Sequence, residues 1–293
     1  MNTIRDFLTM ATKALRSANI KSARLDSELL VSAGLELPRE WLLAHDDAEI
    51  AEPQWNHLCQ MLYQRAQHYP LAYLTGIKEF YGRSFAVDER VLIPRPESEQ
   101  IIESLNDLMR VKDDIHRIID VGTGSGCLAI TAKLEHPELD VHACDNSVKA
   151  LEIARLNAAK LLPANQQIHF HLSNWLYQVP YDLTFDVVIA NLPYVDSSWS
   201  ELSPELEYEP YNALYDDGPN ALGSIRQLLI EINDSSYLRQ YGYLILELDR
   251  RQTKEAIRMA KRLNFIVVNQ KPFTLVLQYQ LANRPIPTEL FRP

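Results

Sequence analysis

Cysteine is scarce in this sequence, and long apolar runs are missing. The three cysteines among 293 residues, Cys59, Cys127 and Cys144, are odd in number and none belongs to a CxxC pair. Neither a disulfide framework nor a cysteine zinc site is therefore predicted. No apolar stretch approaches the roughly 20 residues that a membrane-spanning helix needs. We expect a cytoplasmic protein that is neither secreted nor embedded in a membrane.

The chain also has fewer basic than acidic residues. The chain has 29 Lys and Arg against 39 Asp and Glu, a formal net charge of −10, and no basic tail or stripe offsets it. Such a surface repels a free polyanion, so direct nucleic-acid binding is not expected. With 46% hydrophobic residues, a chain of this length can bury one large core, alone or with one small additional module.

Residues 1–70 predict a small helical bundle. Apolar residues recur at helical spacing from Ile4 to Leu15, a second helix is expected after Asn19, and a third follows Pro53. The helical pattern then stops. Residues 71–97 alternate in polarity around two glycines, which predicts a linker made of the hairpin EFYGRSFAV and the turn LIPRPESE.

Residues 98–293 alternate between helix and strand. Apolar strands such as RIIDVG, DVHACD and FDVVIA are separated by helical segments such as CLAITAKLEH and SVKALEIARLNAAKL. This alternation indicates right-handed βαβ units and a parallel, doubly wound α/β sheet. Two adjacent strands at the end, FIVVNQ and FTLVLQYQL, predict a closing antiparallel pair.

A glycine-rich loop follows the first of these strands. It reads Asp120-Val-Gly122-Thr-Gly124-Ser-Gly126 and opens a helix. Glycines permit a sharp turn and close approach of the backbone to a ligand. The loop lacks the GxGxxG spacing that suits a dinucleotide pyrophosphate, and GxGxG after an acidic residue is typical of S-adenosylmethionine loops. The alternative is a tight turn without a ligand.

Two further positions lie at strand ends. Asp145 ends VHACD, where α/β nucleoside sites place a carboxylate on ribose hydroxyls, although a helix N-cap is the alternative. Asn174 and Trp175 follow the next strand, so Trp175 is either an aromatic wall for adenine or a core residue.

The segment Asn191-Leu192-Pro193-Tyr194 follows the strand FDVVIA at the ligand-binding edge of the sheet. An amide nitrogen that attacks a methylsulfonium needs acceptors for both of its N–H groups. The Asn191 side-chain oxygen and the next backbone carbonyl provide two acceptors, while Tyr194 packs on the planar amide. We therefore predict that Asn191 and Tyr194 are the catalytic residues.

Other polar residues point to structure more than to chemistry. His169 and His171 alternate along one strand and face the same side, but no third ligand is evident and no metal site is predicted. Glu97 and Glu99 are expected to cap the following helix, and the alternative is a contact with the amino group of the cofactor.

Several segments together resemble a known family. They are RLDSELL, PLAYLTGIKEFYGRSFAVDERVLIPRPESE, DVGTGSG, the four-residue motif at 191–194, YEPYNAL and LELDRRQ. The chain resembles the HemK/PrmC family of peptide chain release factor glutamine N5-methyltransferases over nearly its whole length. The resemblance implies a small N-terminal helical domain and a Rossmann-like, S-adenosylmethionine-dependent methyltransferase domain. The implied activity is methylation of the glutamine in the Gly-Gly-Gln loop of a release factor, by a monomer.

The resemblance also implies roles for individual residues. The residues expected to bind the cofactor are Gly122, Thr123, Gly124, Ser125, Gly126, Asp145, Trp175 and Asn191. Those expected to bind the glutamine are Asn191, Leu192, Pro193 and Tyr194. The chain departs from the family's Asn-Pro-Pro-Tyr pattern at Leu192 and has Asp249 where a glycine is common. Two alternatives remain: an adenine N6 methyltransferase acting on nucleic acid, and an inactive cofactor-binding scaffold.

Overall fold

The N-terminal part of the chain is a helical bundle, as predicted. The computed structural model describes residues 2–280. Its first helices are α1 (Ile4–Ser17), α2 (Ala23–Leu35), α3 (Arg39–Ala44), α4 (Glu52–Ala66) and α5 (Leu71–Thr75). Thr3 and Asp6 form a capping box that satisfies the first backbone N–H groups of α1. The apolar faces of α1, α2 and α4 bury one shared core.

A two-stranded hairpin follows, as the alternation of polarity predicted. Its strands are β1 (Ile77–Phe80) and β2 (Arg83–Ala86), and Gly82 adopts a positive φ of 70° in the turn. Phe80 and Phe85 pack edge to face inside the core of the following domain. The hairpin therefore ties the helical bundle to the remainder of the chain.

The remainder forms a mostly parallel sheet between helices. Its strands are β3 (Arg117–Val121), β4 (Asp140–Asp145), β5 (His169–Leu172), β6 (Phe185–Ala190), β7 (Leu238–Glu247), β8 (Phe265–Gln270) and β9 (Thr274–Tyr279). The order is β5-β4-β3-β6-β7-β9-β8. The first five strands in this order are parallel, and β9 pairs antiparallel with both β7 and β8. The predicted doubly wound sheet and its closing antiparallel pair are confirmed.

Helices cover both faces of this sheet. They are α6 (Glu99–Val111), α7 (Cys127–Glu135), α8 (Val148–Leu161), α9 (Tyr211–Leu214), α10 (Gly223–Asp234) and α11 (Thr253–Arg262), with short 3₁₀ turns at Pro96–Ser98, Pro204–Tyr208 and Pro219–Ala221. One core lies under α10 and α11 and the other under α6, α7 and α8. The central strands are apolar on both faces because both faces are covered.

The predicted domain boundaries, 1–70, 71–97 and 98–293, stay predictions. Helix α5 falls within the predicted linker and packs against α2 and α4, and residues 281–293 lie outside the described part of the chain. Among residues 2–280, no helix combines the length and apolar character needed to cross a bilayer.

Candidate functional site

The glycine loop lies between the end of β3 and the start of α7. Gly122, Gly124 and Gly126 all have positive φ, at 76°, 54° and 80°. A Cβ on Gly122 would lie 3.2 Å from the Leu192 side chain, and one on Gly126 would meet Ile130 at 3.0 Å, whereas a Cβ on Gly124 would meet nothing within 4 Å. Two of the glycines thus permit tight packing, and the third opens onto a cavity.

That cavity has a volume of about 430 Å³ and lies at the carboxyl edge of the sheet. Seven of the residues predicted to bind cofactor or substrate line it: Gly122, Gly124, Asp145, Trp175, Asn191, Leu192 and Pro193. The other loop residues do not. Thr123 and Ser125 are buried beneath the loop, and the Thr123 hydroxyl donates to Asp120 Oδ2 at 2.7 Å.

Asp145 holds the glycine loop from the end of β4. Its Oδ2 accepts the Gly124 N–H at 2.9 Å, and its Oδ1 accepts the Ser147 N–H at 2.9 Å. Burial raises the pKa of the Asp145 carboxyl, while these backbone donors oppose the shift. The N-cap of α8 is Ser147, whose side chain accepts from the Ala150 N–H. Asp145 therefore faces the cavity without serving as that cap.

Trp175 lies between the cavity and the core, so its packing is compatible with both of the roles considered for it. It lines the cavity and its ring also packs against the core under α10 and α11. Its backbone has a positive φ of 50°, unusual for a bulky residue, and its carbonyl accepts from the Cys144 thiol at 3.2 Å. The backbone of Trp175 is thus held at the cavity wall.

The motif at 191–194 separates the first cavity from a second one. Asn191 donates through Nδ2 to Ser98 Oγ at 3.0 Å, which leaves its Oδ1 as the available acceptor. Leu192 is only 5% exposed and belongs to the core beside β3. Among residues 2–280 its carbonyl oxygen accepts no hydrogen bond. The two acceptors predicted for an amide substrate are therefore present and unengaged.

The second cavity has a volume of about 260 Å³. It shares Leu92, Asn191, Leu192 and Ala213 with the first. Its other lining residues include several polar ones, namely Arg95, Tyr194, Ser203, Glu205, Glu209 and Glu247. Two ligands, one in each cavity, would therefore lie on opposite sides of Asn191 and Leu192.

Glu247 is a site residue that the sequence analysis missed. It ends β7 and is fully buried, with Oε1 accepting the Tyr194 hydroxyl at 2.7 Å. Its other oxygen, Oε2, has no partner among the described residues. Burial raises the pKa of the carboxyl, while the nearby Ser98 and Tyr194 hydroxyls oppose the shift.

Further residues hold the surrounding loops. Gln252 donates through Nε2 to the carbonyl oxygens of Tyr194, Asn220 and Ala221, at 2.8 to 2.9 Å. Glu209 accepts the Ile93 N–H at 3.0 Å and forms an ion pair with Arg95. These residues belong to the segments IPRPESE, YEPYNAL and LELDRRQ, which carry the family resemblance. The sequence of these segments does not indicate which of their side chains contact each other.

Two smaller expectations concern Glu99 and the histidines of β5. Glu99 lies in the first turn of α6, which is compatible with the expected capping role, and its Oε1 also accepts the Tyr81 N–H of the hairpin at 2.8 Å. His169 and His171 were expected to lack a third ligand, yet Asp140 and His142 lie beside them.

Family models and curated relatives agree on what this chain resembles. Residues 6–76 match the PrmC N-terminal domain and residues 99–219 match the methyltransferase small domain. A release factor glutamine methyltransferase of Koribacter versatilis (strain Ellin345) is 33% identical over 248 residues, covering 84% of this chain and 86% of that protein. The chain belongs to the release factor glutamine methyltransferase family.

Other members of the release factor glutamine methyltransferase family are similarly related. That of Neisseria gonorrhoeae (strain ATCC 700825 / FA 1090) is 35% identical over 229 residues, covering 78% of this chain and 81% of that protein. A bifunctional methyltransferase of Rickettsia conorii (strain ATCC VR-613 / Malish 7) is 32% identical over 281 residues, covering 87% of this chain and 52% of that protein. As a family member, the chain is a methyltransferase.

Solved structures confirm the fold of this release factor glutamine methyltransferase family member. A methyltransferase from Pyrococcus furiosus has a TM-score of 0.50 at 18% identity, covering 77% of this chain and 99% of that one. The hMettl16 catalytic domain, in complex with MAT2A 3'UTR hairpin 1, has a TM-score of 0.51 at 14% identity, covering 79% of this chain and 82% of that one. The predicted Rossmann-like domain is confirmed by these likenesses.

Proposed function

We propose that this chain transfers a methyl group from S-adenosylmethionine to the side-chain amide nitrogen of a glutamine in a peptide chain release factor, the glutamine of its Gly-Gly-Gln loop. The observation that carries the proposal is the arrangement at Asn191 and Leu192. Two free acceptor oxygens stand where two cavities meet, and an amide NH₂ has two donors to match them.

The first cavity fits the cofactor. A volume of about 430 Å³ is within the range of small-molecule sites. Gly124 leaves open space at the loop, Asp145 offers carboxylate lone pairs for ribose hydroxyls, and Trp175 offers an aromatic wall. When bound, S-adenosylmethionine supplies an electrophilic methyl group on a positively charged sulfur. We propose that Gly122 to Gly126, Asp145, Trp175 and Asn191 hold it, Thr123 and Ser125 through their backbone alone.

The second cavity fits a planar amide side chain. The Asn191 Oδ1 and the Leu192 carbonyl would each accept one N–H of the substrate amide, which fixes the nitrogen while its lone pair is directed at the methyl group. Tyr194 would pack on the amide plane, with its hydroxyl held by Glu247. Pro193 restricts the backbone of Leu192 to extended conformations, so the carbonyl keeps its direction.

The proposed reaction depends mainly on the orientation of the amide nitrogen relative to the methyl group. An amide nitrogen is a weak nucleophile because its lone pair is delocalised, and two acceptors that hold both N–H groups reduce the entropy cost of alignment. In the reaction the bond from the amide nitrogen to the methyl carbon would form as the C–S bond breaks, the electron pair would stay on sulfur, and the proton released from nitrogen would pass to solvent water. Asn191 is positioned for this by Ser98, so the orientation exists before substrate binds.

Mass spectrometry of a release factor tests the proposal. Incubation with enzyme and S-adenosylmethionine should add one methyl group to the Gly-Gly-Gln glutamine and none to a release factor carrying Gln→Ala at that position. Cofactor binding by calorimetry without any methylated product would support the inactive scaffold instead. Salt-sensitive binding and methylation of a structured RNA would support the nucleic-acid alternative. We further propose that the protein acts as a monomer in the cytoplasm, which gel filtration and fractionation can check.

A further inference from the structure

A cluster of three histidines and one aspartate lies at the outer edge of the sheet. Asp140 and His142 stand on β4, and His169 and His171 stand on β5. The parallel register places His142 directly opposite His169, so their side chains share one face of the sheet. None of the four residues lines either cavity described above.

The distances within the cluster match those of a metal site. His142 Nε2 lies 3.3 Å from Asp140 Oδ1, and His169 Nε2 lies 3.6 Å from the same oxygen. All three ligand atoms lie within 4.8 Å of one another. A tetrahedral zinc ion with ligands at 2.0–2.1 Å separates its ligand atoms by about 3.4 Å. Small side-chain rotations therefore suffice, and His169, which is half exposed, is free to make them.

The surroundings also suit a metal. His142 is buried, so its ring is held in place by the surrounding residues. Its Nδ1 lies 2.9 Å from His171 Nε2, the kind of outer contact that orients a metal-bound imidazole. Arg117 engages only the second oxygen of Asp140, Oδ2, at 2.6 Å, which leaves Oδ1 for a cation.

We propose that Asp140, His142 and His169 bind one divalent transition-metal ion, Zn²⁺ by ligand preference, with His171 as a positioning residue. Two imidazoles and a carboxylate leave the fourth tetrahedral position to water. The ion joins β4 to β5, which is a short edge strand of four residues. Asp145 ends β4 and Trp175 follows β5, and both residues line the first cavity. The ion would therefore stabilise the positions of these two lining residues. The inference does not depend on the proposed methyl acceptor.

Zinc titration of the full-length, chelator-treated protein tests the proposal. Calorimetry should show one Zn²⁺ per chain, and the thermal unfolding midpoint should rise with Zn²⁺ because the ion binds the folded state. His169→Asn removes a half-exposed ligand and should weaken binding by roughly tenfold or more, and His171→Asn by about 10- to 100-fold. The control His57→Asn changes an exposed histidine of α4 and should bind like the wild type.

Three outcomes would overturn the inference. One is the absence of Zn²⁺ binding to the wild type. A second is equal affinity in wild type and His169→Asn, which would leave the cluster as hydrogen-bonded histidines only. The third is loss of Zn²⁺ binding in Cys59→Ser, which would show that the ion binds at the half-buried thiol of α4 and not at the histidines. Binding that is lost in His169→Asn and kept in His57→Asn and Cys59→Ser supports the site.

Discussion

At the scale of single residues, Asn191 uses one group of its side chain internally and leaves the other for the proposed substrate. Its Nδ2 donates to Ser98 Oγ, and its Oδ1 is available as an acceptor. Loss of the side chain would therefore remove the proposed orienting acceptor and one internal hydrogen bond, worth about 1 kcal/mol.

We predict that Asn191→Ala reduces methyl transfer by on the order of 10²-fold or more, because the aligning acceptor for a weak nucleophile is lost. The kcat should fall at least as much as KM rises. The assay is methyl transfer to a release factor, with a thermal melt of the same variant. Asn56→Ala, an exposed change on α4, is the matched control. Near-normal turnover by folded Asn191→Ala would refute the orienting role.

Leu192 is the position at which the chain departs from the family motif. Its side chain is buried against the glycine loop, and among residues 2–280 its N–H donates no hydrogen bond. Proline at this position would sacrifice no hydrogen bond but would fill less of the core.

We predict that Leu192→Pro folds with a loss of about 1 kcal/mol in stability, from the smaller buried side chain, and keeps activity equal to or modestly above the wild type. Urea unfolding and the methyl-transfer assay measure the two effects. Complete loss of activity in a folded Leu192→Pro protein would mean that the native φ at this position differs from that of proline, and the proposed substrate contacts would have to be redrawn.

At the scale of elements, the carboxyl ends of four parallel strands collect the polar groups of the site. Asp120 is the penultimate residue of β3, Asp145 ends β4, Asn191 follows β6 and Glu247 ends β7. Asp120 is fully buried, and its Oδ1 has no partner among the described residues. Burial raises the pKa of this carboxyl to about 7, against hydrogen bonds from Thr123 and Ala129 that lower it.

The shift at Asp120 predicts a pH dependence of stability. Because the folded protein binds this proton more tightly than the unfolded chain, the contribution of Asp120 to stability falls as pH rises from about 4 to about 7. Asp120→Asn does not titrate, so its unfolding midpoint relative to the wild type should increase across that window. Asp113→Asn, an exposed change, should show no such trend. Parallel pH profiles of Asp120→Asn and wild type would contradict the prediction.

At the scale of the whole molecule, Arg65 connects the helical bundle to the substrate side of the sheet domain. Its Nε donates to Asp26 Oδ2 at 2.7 Å, and its Nη2 donates to Glu205 Oε1 at 2.7 Å. Glu205 lines the second cavity. Tyr208 adds a bond to the Gln67 carbonyl at 2.9 Å. The bundle thus braces a wall of the proposed glutamine site.

We predict that Arg65→Ala lowers the free energy of unfolding by about 3–5 kcal/mol, because it leaves the buried carboxylate of Asp26 without a countercharge. Urea unfolding measures this loss. Arg110→Ala is the control, since Arg110 and Asp107 form an exposed ion pair whose loss should hardly matter. A similar small loss in both variants would show that Arg65 is not an essential contact between the domains.

Prediction from the sequence succeeded for features that depend on residues close together in the chain. The glycine loop, the strand ends at Asp145 and Asn191, and the order of helices and strands all follow from patterns within a few turns of chain. Helix α3 and helix α5 were missed because they are short, with 6 and 5 residues, and do not complete an amphipathic repeat.

The parallel part of the sheet and the cavity at its carboxyl edge were determined by the sequence alone, because alternating elements and a glycine turn allow few topologies. The contacts that complete the site were decided only by the tertiary structure. Asn191 meets Ser98 across 93 residues, Arg65 meets Glu205 across 140, and His142 meets His171 across 29. Such contacts depend on strand register and on the direction of each side chain, and local periodicity does not specify which two distant residues will face each other.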